Sequence, residues 1–357
     1  MLFSTSRGLL KYDGSVWERI ATPSPVLRVY HHEASNRVFL GLKNGAAEVV
    51  KSDSGDYVIR PIAGLTSKLP VHHIFSTNNQ VFFIGEDEIH QLNPFTDDET
   101  ESHQFSEKFI TGAFVYEQTL HLLFYQEGLF RWEDQALTEV KGNADIAEDI
   151  MLFCFESDMG TFVGFENDAL YRFNGDEFLN VKSPLQRFLS DNILSDGLLL
   201  NDSLMALSTL AGGTVIANVS SNEISYRFDY TTGAKDNEVF CLGKDNDDGL
   251  WLAYDAGLSR VDLSQPIKNF NGFPGLDGNP TASLVVDGVF HVGTGNGVFV
   301  LKEASNREEI DRMMKEMMRK QREARKQVES AYIPHLQQSM ESGQKDKNAD
   351  KGAASLM

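Results

Sequence analysis

LGKDNDDGLWLAYDAGLSRVDL, Leu242 to Leu263, reads as strand, polar turn, strand, glycine turn, strand. In the middle strand Trp251 and Ala253 alternate with Leu250, Leu252 and Tyr254, so both of its faces are largely apolar. A strand of that kind is covered on both sides, as in stacked sheets. Asp255-Ala256-Gly257 is a tight turn in which Gly257 is free to take positive φ, and Leu258 and Val261 carry the next strand. Working outward, the same unit recurs with its turn ending at Gly8, Gly45, Glu88, Gly128, Ala169, Gly213, Gly257 and Gly297. The spacings are 37, 43, 40, 41, 44, 44 and 40 residues. Each turn lies between short runs rich in β-branched and aromatic residues, such as Val38-Phe39-Leu40 before and Leu129-Phe130-Arg131-Trp132 after. A period of about 40 residues with several short strands in each repeat predicts an all-β chain of propeller blades, four strands to a blade.

At the ends the pattern is incomplete. Residues 1–22 offer three strands that match the last three of a blade, and residues 282–301 offer three that match the first three. Seven blades are expected if the two partial sheets merge, eight if each stands alone, and seven is preferred because ring closure removes exposed sheet edges. The expected organisation is a propeller over 1–302, an amphipathic helix over 303–333 and a disordered tail over 334–357. The helix begins on an Asn306-to-Glu309 capping box and carries Ile310, Met314, Met317, Ala324, Val328 and Ala331 on one stripe. Its Met-rich face, set beside Arg312, Lys315, Arg319, Lys320, Arg322, Arg325 and Lys326, suits self-association or a protein partner through residues 306–332.

GLWLAYDAGLSRVD (Gly249 to Asp262) resembles the propeller repeat of two-component regulators, which builds extracytoplasmic sensor domains of bacterial signalling proteins. Gly257 to Leu301 resembles two consecutive repeats of that family, and Asn192, Asn237 and Asn279 precede their blades' first strands where the repeat usually has Asn. The resemblance implies a sensor or ligand-binding propeller and brings no catalytic residues with it.

The formal net charge is −20. Residues 303–357 hold 11 basic and 10 acidic side chains, so the excess of acid lies in the preceding body. Such a body repels phosphate backbones and anionic lipid, which argues against nucleic acid and membrane-surface partners. No run of apolar residues is long enough to span a bilayer, and the N-terminus lacks a signal-peptide pattern. As written the chain reads as cytoplasmic, and as periplasmic if it is a fragment of a membrane sensor. Cys154 and Cys241 fall in apolar runs read as inner strands of different blades, and are expected to be buried, inert thiols.

Few motifs carry chemistry. Asp245-Asn246-Asp247-Asp248-Gly249 invites a calcium reading, but its Gly is one place early for an EF-hand and the bidentate Glu is missing. His31-His32 and His72-His73 lie on inner strands, so that His31 and His72 are candidates to line a central channel, without a third ligand that would make a metal site. Asn192, Asn237 and Asn279, with Asp191, Asp236 and Asp277, sit on loops entering the inner strands. They either hold those turns or form a binding rim. There is no G-x-S-x-G elbow, P-loop or H-E-x-x-H, and Gly293-Thr294-Gly295-Asn296-Gly297 is followed by a strand where a dinucleotide loop needs a helix. The expectation is a non-enzymatic, cofactor-free recognition module of sensor type that binds a small molecule, glycan or peptide. A protein-interaction scaffold is the alternative, and a propeller lyase or lactonase the minor one.

Overall fold

The computed structural model describes residues 1–5, 8–65, 70–77, 80–96, 100–255, 257–263 and 278–301. The chain divides into two units, Met1–Asn271 and Gly272–Met357. The expected helix at 303–333, the tail at 334–357 and Asp277 lie outside the described residues.

Among the described residues the strands form eight antiparallel sheets of three or four strands. The first sheet is β1 (Leu2–Thr5), β2 (Gly8–Tyr12) and β3 (Trp17–Ile20). The second is β4 (Val26–His32), β5 (Arg37–Leu42), β6 (Gly45–Lys51) and β7 (Tyr57–Pro61), and the third β8 (His73–Thr77), β9 (Gln80–Ile84), β10 (Glu88–Leu92) and β11 (Glu101–Gln104). The fourth is β12 (Ile110–Tyr116), β13 (Thr119–Phe124), β14 (Gly128–Glu133) and β15 (Ala136–Glu139). The fifth is β16 (Met151–Ser157), β17 (Gly160–Phe165), β18 (Leu170–Phe173) and β19 (Phe178–Asn180). The sixth, β20 (Leu194–Asn201), β21 (Leu204–Thr209), β22 (Thr214–Asn218) and β23 (Ile224–Phe228), is followed by the seventh, β24 (Cys241–Lys244), β25 (Gly249–Tyr254) and β26 (Gly257–Asp262). The second unit contributes β27 (Pro280–Val286), β28 (Val289–Thr294) and β29 (Gly297–Leu301).

The residue on which the sequence repeats align closes the hairpin between a blade's second and third strands. Leu42 pairs with Gly45, Phe124 with Gly128, Tyr254 with Gly257 and Thr294 with Gly297. Thr5 pairs with Gly8 in the same way, so β1 to β3 are second, third and fourth strands, and among the described residues no first strand is paired to this sheet. The consequence is visible in burial. Second strands in the complete sheets are almost wholly buried, as in β13 and β17, whereas β1 is only half covered. Gly213 shows why one turn demands glycine: its φ is +78° and a Cβ there would strike the Phe228 carbonyl.

The core is divided into layers between consecutive sheets. Leu9, Ile20, Leu40 and Val49 fill the layer between the first and second sheets, and Phe39, Ile74 and Phe83 the next. Phe82, Phe105, Phe124 and Trp132 join the third to the fourth, and Phe114, Val163, Phe165 and Phe173 the fourth to the fifth. Phe153, Phe162, Met205 and Leu207 fill the layer between the fifth and sixth, and Ile216, Leu250 and Leu252 the one between the sixth and seventh. The seventh sheet also reaches the first. The Trp251 ring lies 5.2 Å from Phe3 and 5.8 Å from Tyr12, centroid to centroid, and Tyr12 stacks on Trp17 at 4.5 Å. The sheets of the first unit therefore follow one another around and back to the first.

A helix not expected from the sequence stands before the sixth sheet. Helix α1 (Pro184–Asn192) starts on Ser183, whose hydroxyl accepts from the Gln186 amide, with Pro at its first turn. Leu185 and Leu189 are buried against the layer between the fifth and sixth sheets.

Asp245 closes the turn between β24 and β25. Its carboxylate accepts from Trp251 Nε1 at 2.7 Å, Arg260 Nε at 2.6 Å and the Gly249 amide at 2.8 Å. Hydrogen bonding from Arg260 is the main cause holding its carboxyl well below the usual range, against a smaller opposing effect of burial. We expect Asp245→Ala to cost about 1–3 kcal/mol, since it strands the indole N–H. The sign with pH follows from a depressed folded-state pKa: the contribution is complete above the ordinary carboxylate range near 3.8 and disappears as pH falls through the folded value. Urea unfolding of the wild type and the variant at neutral and strongly acid pH should therefore converge at the acid end.

Candidate functional site

The first strands β4, β8, β12, β16, β20 and β24 adjoin one another in that order. Four of them carry a register shift near the start, between Val26 and Arg28, Ile110 and Gly112, Met151 and Phe153, and Leu194 and Asp196. Such a bulge re-aims the side chains that follow it. Pairing with the second strands gives one equivalent position in each blade: Arg28 opposite Gly41, His73 opposite Ile84, Gly112 opposite Leu123, Phe153 opposite Gly164, Asp196 opposite Ser208, and Cys241 opposite Ala253. Successive blades thus place a guanidinium, an imidazole, a carboxyl and a thiol at one level of the first strands, with Cys154 one residue further along β16.

The charge of Arg28 is felt by His73, Cys154, Asp196 and Cys241 alike. Asp196 is tied into the strand edge: Oδ2 accepts from the Leu242 amide of β24 at 2.8 Å and Oδ1 from the Gly197 amide at 2.8 Å. Burial raises its pKa, against those bonds and Arg28. Burial likewise pushes His73 down to about 3, with Arg28 adding to it, and both thiols up to about 12. At neutral pH His73 is therefore uncharged and the thiols protonated.

The expectation of two buried cysteines is corrected in part. Cys154 is half-buried and Cys241 exposed, although burial dominates the shift of both. Both residues keep accessible surface while protein crowds their thiols. Accessible area decides whether a ligand can touch them, and the crowding explains the raised pKa. Among the described residues no three His, Cys, Asp or Glu side chains are placed to hold a metal ion.

The residues singled out from sequence fall elsewhere. His31 is exposed with Nε2 3.1 Å from Asn36 Oδ1, and His72 is exposed with Nε2 3.6 Å from Glu86 Oε1. The histidine at the shared level is His73. Asn192 is not on a loop: it ends α1, is buried, and donates Nδ2 to the Phe188 carbonyl at 2.7 Å. Asn237 Oδ1 accepts from the Tyr230 amide at 2.6 Å. The Asn192 and Asn237 carbonyls accept from the Ala211 and Gly213 amides, so the two asparagines grip one hairpin from either side. Asp191 is exposed beside Asn192, and Asp236 is exposed and accepts from the Asn237 and Glu238 amides. Asn279 is exposed in the second unit, just ahead of β27. Arg28, His73, Asp196 and the two thiols escaped the sequence reading as a group, and their signal was a polar residue recurring within apolar first strands.

No family model matches the chain, and no curated protein matches it either. Among solved structures it is similar to BBS1N in complex with ARL6DN at 10% identity, covering 72% of this chain and 84% of that one, with a TM-score of 0.54. YCF48 bound to D1 peptide is similar at 11% identity, covering 82% and 97%, with a TM-score of 0.52. An extracellular domain of BT4673 from B. thetaiotaomicron aligns at 12% identity over 84% of this chain and 57% of that one, with a TM-score of 0.34, too low to bear on function. The sheet succession and the likenesses to BBS1N and YCF48 define a propeller-type fold. No helix among the described residues is long and apolar enough to cross a membrane.

Proposed function

We propose that the chain is a non-enzymatic recognition propeller of sensor type, seven blades in its ring, which takes its ligand where the first strands converge. The observation that supports this reading is the single level carrying Arg28, His73, Asp196 and Cys241 on separate blades. Groups drawn from several blades around one point can orient a ligand that none of them could hold alone. The Cys241 thiol bonds to the Asp196 carboxyl but is pushed up to about 12, so both thiols stay protonated, which favours binding over turnover. The resemblance of Gly249 to Asp262 to the sensor repeat of two-component regulators points the same way.

A second reading is a protein-interaction scaffold, favoured by the polypeptide partners held by two propeller-type neighbours, BBS1N with ARL6DN and YCF48 with D1 peptide. A thermal-shift screen of the full chain against metabolites, glycans and peptides separates the two. The sensor reading expects a small ligand whose stabilisation disappears in Cys241→Phe, which fills the accessible centre, and persists in Asp191→Asn. A peptide whose stabilisation is lost in the rim variant and kept in Cys241→Phe would replace it with the scaffold reading.

A further inference from the structure

Arg28 is a half-buried arginine with its binding capacity unspent. Among the described residues it forms no hydrogen bond or ion pair. A guanidinium offers five N–H donors in a planar fork and remains charged throughout the accessible pH range. Arg37, also half-buried, by contrast grips Glu48 through two nitrogens at 2.7 and 2.8 Å.

The neighbours of Arg28 do not supply the missing acceptor. The oxygens of Asp196, the carboxylate that shares its level, are occupied by the Leu242 and Gly197 amides, and no salt bridge joins it to Arg28. His73 and the two cysteines bring no negative charge. The chain carries a formal charge of −20, yet a guanidinium stands at the convergence of its first strands beside a carboxyl already held by backbone amides. A desolvated donor fork without a partner is costly, and a fork open to a ligand is complementary to an oxyanion.

We propose that Arg28 is the seat of an oxyanion, a carboxylate or phosphate carried by the ligand, gripped bidentately at the convergence of the first strands beside His73, Asp196 and Cys241. This rests on the recognition reading above and names the chemistry that reading leaves open. The acidic body opposes the approach of free anions, so binding has to come from close contact at the fork and not from long-range attraction.

The test is calorimetric titration of the full chain with succinate in one arm and inorganic phosphate in the other, at fixed ionic strength. The wild type should bind at least one. Arg28→Gln, checked for an unchanged far-ultraviolet spectrum, should weaken that binding at least tenfold. Arg28→Lys should recover part of it, because charge remains while the fork is lost. Arg187→Gln, an exposed arginine on α1, should change it by less than twofold. The arm that responds identifies the source of the oxyanion. Wild-type chain that binds neither anion, or binding unchanged in Arg28→Gln, overturns the proposal. A ligand from the thermal screen that is lost in Cys241→Phe but kept in Arg28→Gln overturns it while sparing the recognition reading.

Discussion

Gly197→Val should unfold more of the protein at any given urea concentration than any surface substitution, with a loss of about 3 kcal/mol or more. The reason is a ring passing between sheets. Phe153, 2% exposed, projects from β16 into the layer shared by the fifth and sixth sheets. Gly164, opposite it on β17, and Gly197 on β20 leave the space it occupies, and a Cβ at either position would clash with a Phe153 ring carbon. At Gly197 the same atom would also lie 2.7 Å from Leu207 Cδ2. Interiors packed to this density have nowhere to move three sets of atoms at once. A smaller step isolates the cause. Gly197→Ala should be destabilising alone, and less so in a Phe153→Leu background, where the ring has been withdrawn. Equilibrium urea unfolding of the two single variants and the double variant gives the coupling, and strict additivity would show that the ring is not what the glycine accommodates. The site feels the same change. Gly197 follows Asp196 and donates to it, so a displaced β20 pulls the Asp196 carboxylate away from Leu242.

The architecture was legible because it repeats. A glycine that closes the same hairpin in blade after blade is a local signal amplified by recurrence, and even Glu88 and Ala169 betray themselves by position: Gly85 donates to the Glu88 carbonyl and Phe165 to that of Ala169. The shortfall at the N-terminus was legible for the same reason, since Thr5 pairs with Gly8 as Leu42 does with Gly45. Helix α1 was missed although Leu185, Phe188 and Leu189 recur at helical spacing, because nine residues make too short a window for that period to stand out in a chain rich in apolar pairs. The Ser183-Pro184 start was a further signature.

The convergence of Arg28, His73, Asp196 and Cys241 was hidden by a different mechanism. Sequence alternation decides which residues share a face only when register is unbroken, and a slip of one residue reverses the faces. The bulge between Val26 and Arg28 is such a slip, and sequence does not mark it. The choice of His31 and His72 as central residues rested on alternation alone. Apolar runs also mislead on a first strand, whose free edge faces no further strand: Cys241 follows Val239 and Phe240, yet Cys241 and Phe240 are both exposed. The structural asparagines were easier, because short amides before a strand bond to nearby backbone whatever else they do, as Asn237 does with Tyr230.

Removing the carboxylate of Glu48 should cost about 3–5 kcal/mol in Glu48→Leu, and much of that should return when Arg37 is replaced as well. Glu48 is 5% exposed on β6 and receives Arg37 Nε at 2.7 Å, Arg37 Nη2 at 2.8 Å and Arg60 Nη2 at 2.7 Å. Arg37 Nη1 goes on to the Pro94 carbonyl in the connection between β10 and β11 at 3.0 Å, so the cluster ties two blades together. The loss in the single variant comes less from the pair itself than from leaving a guanidinium with only 19% of its side chain exposed and without its counter-ion. Arg60, 55% exposed, remains hydrated and contributes little. In Glu48→Leu with Arg37→Met both charges are gone and the volume is kept, so stability should approach that of the wild type. A double variant as unstable as the single one would show that the bond to Pro94 matters more than the ion pair. The pH dependence supplies an independent check. Burial works to raise the Glu48 pKa, but the hydrogen bonds and charges of Arg37 and Arg60 outweigh it and leave the carboxyl below its ordinary value of 4.5. A depressed folded-state pKa means stability that is present above that ordinary value and lost as pH falls through the folded one. Wild-type unfolding free energy should therefore drop more steeply on acidification than that of the double variant. Parallel curves would remove Glu48 from the acid transition.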